Sequence, residues 1–510
     1  MRFVSVRIFL LSAISMPFGV FAADQYWAYS YQGMEVTAVG SGEFARIIAH
    51  NLHRLDRSIA VALQTSGDAW RAPTMIYVVP GQTFAMLQGK KDDTAALYMS
   101  NAVENNVLIN ASGNRDDRLW AVYFGLTGSI LNSAFSFRYP RWFVDGLSEV
   151  FAGSSISHST VTIGDVNRAR VSTLINSAPI PVKTMLALRS DDPQLSSREF
   201  RDIYAAQAWF LVHQIVIEKQ YHASFFVYFQ RLDKGENEAE AFAESFSVPY
   251  EELDRMLAHA LHSGRITTFK VEVPDEKDES TPRRLTEAEA SGRLAMYAAQ
   301  HSPQVDVALN LAMQSLRVEP RGEEAQVARI LVQFKQADYA AAFRSSEALC
   351  GGETLSQTAA AQCGWSFAKL AAAVAAKQVS LDVDDARLAQ RSEKYFEKAL
   401  AQNAEDLASW YRLIDFVVDR RDRTYAKELL PGAERIQAAH PRMGILARSV
   451  AGLCASTGDY ESAIRYATIW ERNALSGEDR ARASTYLSAL RTYLERHAPS
   501  GSPTATPAPR

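Results

Sequence analysis

The stretch that decides the fold of the first half of the chain is residues 118–153, with the sequence RLWAVYFGLTGSILNSAFSFRYPRWFVDGLSEVFAG. Its first part carries apolar side chains at helical spacing and predicts a helix from near Arg115 to about Asn132. Pro140 suits the first turn of a helix, where a backbone N–H has no partner, so a second helix is expected directly after it. The stretch therefore predicts two consecutive helices.

Around these helices, residues 23–273 alternate between helix-like and strand-like patterns. Residues 43–64 have apolar side chains at helical spacing, and so do residues 200–262. Residues 74–79 and 103–109 are short apolar runs that end at turn residues, as expected for strands. These patterns predict a first domain of the α+β class.

The second of the two helices carries the most informative motif in the chain. It resembles the peptidase MA-like families of the gluzincin group, in which one helix bears H-E-x-x-H and the next starts P-x-W and carries E-G-x-A-E. The matching residues here are Pro140, Trp142, Asp145, Gly146, Leu147, Ser148 and Glu149. Weaker matches follow in the same order through the rest of residues 23–273. The resemblance implies a metallopeptidase-like (zincin) fold for this domain.

The first helix is where the chain departs from that family. Phe124 and Gly128 stand where the family has its two zinc-binding histidines, and Gly125 stands where it has the general base that deprotonates zinc-bound water. Asp145, one methylene shorter than glutamate, stands at the third ligand position. The resemblance implies zinc as the family's cofactor, and these residues predict that zinc, the base and catalysis are lost.

Two carboxylates remain near the degenerate motif. Asp145 and Glu149 are four residues apart on one helical face, which is a spacing that an acid–base pair can use. The alternative is structural: Asp145 would bond to the neighbouring helix and Glu149 would support a backbone group. We favour the structural interpretation, because two like carboxylates alone specify no reaction.

The histidines are the remaining candidates for substitute metal ligands. His50 and His53 fall among charged residues of their helix, and His259 and His262 lie near acidic residues, so both pairs are predicted to lie on solvated faces. His213 lies in an apolar helix and is predicted to be a hydrogen-bonded core residue. None of these is predicted to bind a metal.

Residues 286–497 are almost entirely helical in pattern, and short segments recur within them. The similar segments begin at Ala308, Asp338, Tyr395 and Gly458 and carry small and aromatic residues at related positions. A period near 34 residues resembles tetratricopeptide repeats and implies an all-α repeat domain for protein–protein interaction. Thr286 and Glu289 form a predicted capping box at its start, after a charged linker predicted at 274–285.

The N-terminus of the chain predicts export. Residues 1–22 combine Arg2 and Arg7 with an apolar run and end Val-Phe-Ala, which predicts a signal peptide cleaved after Ala22 or one residue later. No later run reaches about 18 apolar residues, so no membrane span is expected in the mature chain. The protein is therefore predicted to be periplasmic, with a disordered Pro/Ser/Thr-rich tail at 498–510.

The cysteines bear on disulfide formation, and the net charge bears on the class of partner. An oxidising compartment permits a disulfide, and Cys350 with Cys363 is the short-loop candidate; the alternative is that all the cysteines are buried free thiols. A net charge of −4 argues against a nucleic-acid partner.

Three functions fit these observations. The leading hypothesis is a non-catalytic pseudo-metallopeptidase. It would bind peptides or proteins through the cleft that holds the substrate in the peptidase family, and through the repeat surface. The second is an active hydrolase with a relocated metal site, and the third is a repeat-based assembly scaffold with a passive first domain.

Overall fold

The computed structural model describes residues 25–62, 73–89, 95–100, 104–112, 115–134, 139–188, 192–234, 236–274, 280–352, 354–441, 443–474 and 477–497. The predicted signal peptide, the predicted C-terminal tail and residues 275–279 of the predicted linker lie outside these ranges.

The first half of the described chain is an α+β unit. In chain order its elements are β1 (Tyr26–Tyr31), β2 (Met34–Val39), α1 (Gly42–Ala62), β3 (Thr74–Val79), α2 (Gly81–Gln88), β4 (Ala96–Ser100), β5 (Asn105–Asn110), α3 (Arg115–Ala134), α4 (Arg141–Ala152), β6 (Ser155–Ser157), β7 (Thr160–Ile163), α5 (Arg168–Asn176), α6 (Val182–Ala187), α7 (Arg198–Val216), α8 (His222–Asp233), α9 (Glu238–Ser245), α10 (Tyr250–Ser263) and β8 (Phe269–Glu272). The helices predicted near Arg115 and after Pro140 are confirmed, and so are both predicted strands.

The main sheet has the strand order β4-β5-β3-β2-β1, followed by a two-residue strand, β9 (Arg283–Arg284). Strands β2, β3 and β5 are parallel, whereas β4 and β1 pair antiparallel with their neighbours. Strands β6, β7 and β8 form a second, antiparallel sheet. Strand β3 is buried on both faces, as expected for a parallel strand covered by helices on each side.

Alternate residues of the main sheet serve two different cores. Val36, Ile76 and Val107 face the side that α1 and α3 cover. Tyr77 and Leu108 point to the opposite side and lie in a core with residues of the repeat region. The sheet therefore has two apolar faces, and each needs its own helices.

The second face is covered by the first helix of the repeat region, α11 (Glu287–His301). Tyr297 of α11 packs on Tyr77 with ring centroids 5.1 Å apart. Arg293 of α11 reaches β2, where its Nη1 lies 2.8 Å from Glu35 Oε1 and 3.1 Å from Thr37 Oγ1. The two halves thus share a core.

The range predicted as a linker, 274–285, is in part structural. Its last residues form β9, which pairs antiparallel with β1, and the Leu285 N–H donates to the Tyr26 carbonyl at 2.9 Å. The predicted capping box at Thr286 and Glu289 is confirmed. The sheet thus runs directly into the repeat helices.

The second half is an all-α repeat domain. Its remaining helices are α12 (Val305–Val318), α13 (Glu323–Lys335), α14 (Tyr339–Cys350), α15 (Gln357–Ala375), α16 (Asp385–Gln402), α17 (Leu407–Arg420), α18 (Arg423–Ala439), α19 (Gly444–Thr457), α20 (Tyr460–Arg472) and α21 (Gly477–His497). Each helix packs against the next, and α11, α13, α15, α17 and α19 also pack in succession. This stacking buries faces that no helix pair buries alone.

Cysteine pairing fixes one junction of the repeats. Cys350 at the end of α14 forms a disulfide with Cys363 in α15, with Cα atoms 5.9 Å apart. Cys454 is a buried free thiol in α19, and burial raises its pKa to about 12. Of the helices that the structure describes, none has the length and apolar character needed to cross a bilayer.

We expect the first half to fail to fold on its own. A chain ending at residue 285 loses α11, which exposes the buried face around Tyr77 and Leu108. Each buried side chain of this size is worth about 1.5–3 kcal/mol, and a domain is stable by only about 5–15 kcal/mol. The fragment should show no cooperative thermal unfolding and should bind a hydrophobic dye. The mature chain from residue 23 onward is the control and should melt cooperatively; a cooperative melt of the fragment would contradict the shared core.

Candidate functional site

The degenerate motif lies where α3 packs against α4 and against the edge strand β4. Phe124 on α3 is half-buried and stacks on Trp120, one turn earlier, with ring centroids 5.2 Å apart. At the first ligand position the site therefore has an aromatic pair and no metal donor.

The space beside Gly125 is filled by Tyr98 of β4. A Cβ atom placed on Gly125 would lie 2.1 Å from Tyr98 Cγ and 2.3 Å from Tyr98 Cβ. Burial raises the pKa of the Tyr98 hydroxyl, and the hydroxyl of Ser129 opposes this with a smaller effect. A glutamate at position 125 does not fit unless β4 moves, so the general-base position is closed.

Gly128, at the second ligand position, has a different environment. A Cβ atom placed there would lie 3.6 Å from Ser148 Oγ of α4, which is an ordinary contact. Ser148 is buried, and its hydroxyl has no hydrogen-bond partner. This position accepts a side chain, unlike Gly125.

Asp145, at the third ligand position, is held by two side chains. Arg141 Nε donates to Asp145 Oδ2 at 2.9 Å, and the Tyr204 hydroxyl of α7 donates to the same oxygen at 3.2 Å. Burial raises the pKa of Asp145, while Arg141 and Tyr204 oppose that shift. Asp145 therefore ties α4 to the neighbouring helix α7.

Glu149 forms a buried ion pair. Arg170 of α5 donates to both carboxylate oxygens, and its Nε lies 3.3 Å from Oε2. Burial raises the pKa of Glu149, and the charge and hydrogen bonds of Arg170, together with the Trp120 side chain, oppose the shift. The prediction that Glu149 supports a backbone group is wrong, because a guanidinium from α5 occupies its oxygens.

These residues do not fit a zinc ion. Phe124 and Gly128 offer no donor atom, and Asp145 and Glu149 are each engaged by an arginine. Throughout the described ranges, no three side chains of the His, Cys, Asp or Glu type converge as a metal site. Each carboxylate has its own arginine, an arrangement that favours the structural interpretation of both residues.

The histidine predictions had mixed outcomes. His50 and His53 are buried, so the prediction of a solvated face is wrong for them. The reason is that β1 places tyrosines against this side of α1: the Tyr29 hydroxyl lies 2.9 Å from His50 Nε2, and Tyr31 stacks on His50. His259 and His262 are exposed, as predicted.

His213 is a core residue, as predicted. It is fully buried in α7, and its Nε2 lies 3.0 Å from the Thr267 carbonyl. Burial lowers the pKa of His213, which favours the neutral ring in this environment.

Sequence reasoning missed Tyr98 and Arg170. Both come from elements outside the motif, and no local pattern in β4 or α5 marks them as partners of Gly125 and Glu149. The only available signal was Gly125 itself, since a glycine within a helix often permits a close approach.

Comparisons with known proteins identify no family for this chain. No known protein-family profile matches it, and no curated protein matches it. Among solved structures it is similar to a thermophilic TPR protein of Thermus thermophilus, at 15% identity and a TM-score of 0.32, over 39% of this chain and 99% of that one. It is also similar to the human IFIT1 dimer with PPP-AAAA, at 14% identity and a TM-score of 0.27, over 64% of this chain and 68% of that one.

Two glycine substitutions test the closed site. Gly125→Ala should destabilise the protein by about 1–3 kcal/mol, because the new methyl group overlaps Tyr98. Gly128→Ala, the matched control, should be neutral or stabilising by up to about 1 kcal/mol, because alanine favours a helix. Urea unfolding measures both.

A double-mutant cycle with Tyr98→Ala separates this clash from a general effect of residue 125. The cost of Gly125→Ala should largely disappear when Tyr98 is already alanine. An equal cost in both backgrounds would show that Tyr98 does not close the site.

Proposed function

We propose that this protein is an exported, non-catalytic pseudo-metallopeptidase that binds extended peptide segments. The observation that carries the proposal is the contact between Tyr98 and Gly125, which leaves no room for a general base at the position where the family has one. Donor-free residues at both histidine positions support the same conclusion. The zinc that the family uses is, in this proposal, lost.

The edge of β4 provides the binding surface. The Asn110 N–H donates to the Ala95 carbonyl, so in the alternating antiparallel ladder Leu97 and Met99 also bond to β5. Ala96, Tyr98 and Ser100 therefore direct their backbone N–H and C=O groups away from the sheet. Within the described residues no strand pairs with this edge, and such an edge accepts an added strand.

The helix that packs against β4 carries aromatic rings, which we take to favour apolar ligands. The half-buried rings of Trp120 and Phe124 lie on α3, the helix against which β4 packs. Alternate side chains of an added strand point to one face. A peptide with apolar residues at every second position is therefore the expected class of ligand.

The alternatives have less support. An active hydrolase needs a relocated metal site, and the described residues hold no cluster of metal-binding side chains. A passive first domain is disfavoured because its sheet shares a core with α11.

The stacked repeat helices remain the proposed surface for a second protein partner. Export to the periplasm is supported by the disulfide, which is typical of oxidising compartments; at a net charge of −4 no nucleic-acid partner is proposed.

Metal content tests the loss of zinc. The mature chain, from residue 23 onward, should contain far less than one zinc per molecule after dialysis against trace zinc and removal of free metal. Elemental analysis gives the number, and circular dichroism confirms that the chain is folded. One zinc per chain would overturn the proposal and favour the hydrolase.

Peptide binding is tested by selecting dodecapeptides from a random display library on the full chain. Enriched peptides should carry apolar residues at every second position. N-methylation should lower affinity at least tenfold at alternate residues only, because only those N–H groups face β4. Effects without this period of two would exclude strand addition.

The position of the bound peptide along β4 is tested with a matched pair of variants. Ala96→Pro removes an outward N–H and should lower peptide affinity at least tenfold, whereas Ala96→Val adds similar volume and keeps that N–H. Equal affinities in folded forms of both variants would place the peptide elsewhere.

A further inference from the structure

One arginine of the repeat region has no partner for its charge. Arg329 of α13 is partly exposed, while its Nε is enclosed and has no hydrogen-bond acceptor. Among the described residues no carboxylate pairs with Arg329, whereas Arg293 on the neighbouring helix α11 pairs with Glu35. Burial lowers the pKa of Arg329, and no nearby charge in the described ranges opposes that shift. An enclosed donor without an acceptor costs free energy, so this side chain needs an explanation outside the protein's own contacts.

A glutamine on the same face of α13 also has an unused polar atom. Gln333 lies four residues after Arg329, so the two side chains are neighbours on the helix surface. Gln333 is partly exposed, and its Oε1 is buried without a hydrogen-bond donor. This face of α13 therefore carries an unpaired cation next to an unpaired amide.

Arg329 lies on the inner side of the helix stack. On one flank of α13, Val332 packs into the core shared with α11 and α12. On the other flank, Ile330 packs into the core shared with α14 and α15. Leu331 reaches both cores, and Arg329 lies between the two flanks on the opposite side of the helix. Arg329 therefore faces the side of the row α11, α13 and α15 that α12 and α14 do not cover.

The inner side of α15 continues this surface. The Trp365 ring is half-buried and lies 5.0 Å from the Phe334 ring at the end of α13. Lys369, one turn beyond Trp365, is exposed. Arg329, Gln333, Trp365 and Lys369 form what we call the inner stripe. It contains two positive charges and no negative charge.

Carboxylates begin where the inner stripe ends, on α17. Burial raises the pKa of Asp419, Asp415 adds to that rise, and the charge of Lys369 opposes it. Asp415 itself pairs with Arg448 of α19. The inner side of the repeats therefore changes from cationic on α13 and α15 to mixed charge on α17 and α19.

We propose that the inner stripe binds an acidic segment of a protein partner, with an aspartate or glutamate carboxylate on Arg329. A carboxylate accepts two parallel N–H groups of a guanidinium in one plane, which makes arginine its strongest side-chain partner. Gln333 then bonds to the backbone of the segment, and Lys369 adds a second attraction. A nucleic acid is disfavoured by the net charge of −4 and by Asp419 at the border of the stripe.

This inference rests on the proposal that the repeats bind a second protein partner. It does not depend on peptide binding at β4.

Peptide selection tests the class of ligand. A random dodecapeptide display library is selected on the full mature chain, and enriched peptides are synthesised with amidated C-termini. Each peptide is then tested on Arg329→Met and on Ala96→Pro. Peptides that lose affinity only on Arg329→Met report on the inner stripe, whereas those that lose it only on Ala96→Pro report on β4.

The peptides that need Arg329 should carry aspartate or glutamate. Replacing that residue by asparagine or glutamine should lower affinity at least tenfold, because the amide has no charge for the guanidinium. If no enriched peptide needs both Arg329 and an acidic side chain, the proposal is wrong. It is also wrong if a twelve-nucleotide single strand of DNA binds more tightly than these peptides in an Arg329-dependent way.

Matched substitutions locate the carboxylate. Arg329→Met keeps an unbranched chain, should lower affinity at least tenfold and should unfold at the wild-type temperature or above, because no ion pair is lost. Gln333→Leu changes the neighbouring amide without changing the charge and should also weaken binding. Arg344→Met removes the same charge from an exposed position on α14 and should bind as the wild type does. Unchanged affinity in folded Arg329→Met and Gln333→Leu, or a clear fall in the unfolding temperature of Arg329→Met, would contradict a binding role for Arg329.

Discussion

The two apolar faces of the main sheet impose the constraint on which the rest of the structure depends. Strands β3 and β5 alternate their side chains between a core under α1 and α3 and a second core under α11. Within the described residues, α2 places Phe84 and Leu87 in the second core and α11 completes it, so the repeat region begins as part of the sheet's own core. Arg293, bonded to Glu35 and Thr37, and the pairing of β9 with β1 fix this junction. Burial of apolar area, rather than a flexible connection, therefore sets how the two halves meet.

The same sheet explains the closed site. Its edge strand β4 lies close to α3 only because position 125 has no side chain, and Tyr98 then fills the space where an acidic group would have to stand. The neighbouring carboxylates adapt in a consistent way. Glu149 is buried and Asp145 is half-buried, and each has an arginine beside it that offsets the cost of burying a charge. What the resemblance implies to be a catalytic centre is organised here as packing and ion pairs.

The sequence predicted the positions of helices and strands better than it predicted which residues of different elements contact each other. Helices α3 and α4, strand β3 and the capping box at Thr286 follow from local spacing and were correctly placed. Burial of His50 was not predictable, because it depends on Tyr29 and Tyr31 reaching α1 across the sheet edge. Arg170 and Tyr98 were missed for the same reason: a residue's partner on another element leaves no local pattern. The prediction of a linker was wrong at its last residues, where Arg283 and Arg284 form a strand. Two charged residues do not have a strand-like pattern, and they pair only because β1 offers an edge.

The shared core has a consequence for how ligands are presented. Because α11 contributes to the sheet's core and to the repeat stack, the sheet that carries β4 and the first repeat helices are joined through one packed core. In the proposed function, a partner that occupies one surface meets the other at a high effective concentration, provided that its own two contact points match the distance between the surfaces. A partner with the wrong spacing gains nothing from the second surface. With both proposed surfaces in use, the protein selects ligands by the distance between two contacts as well as by the chemistry of either one.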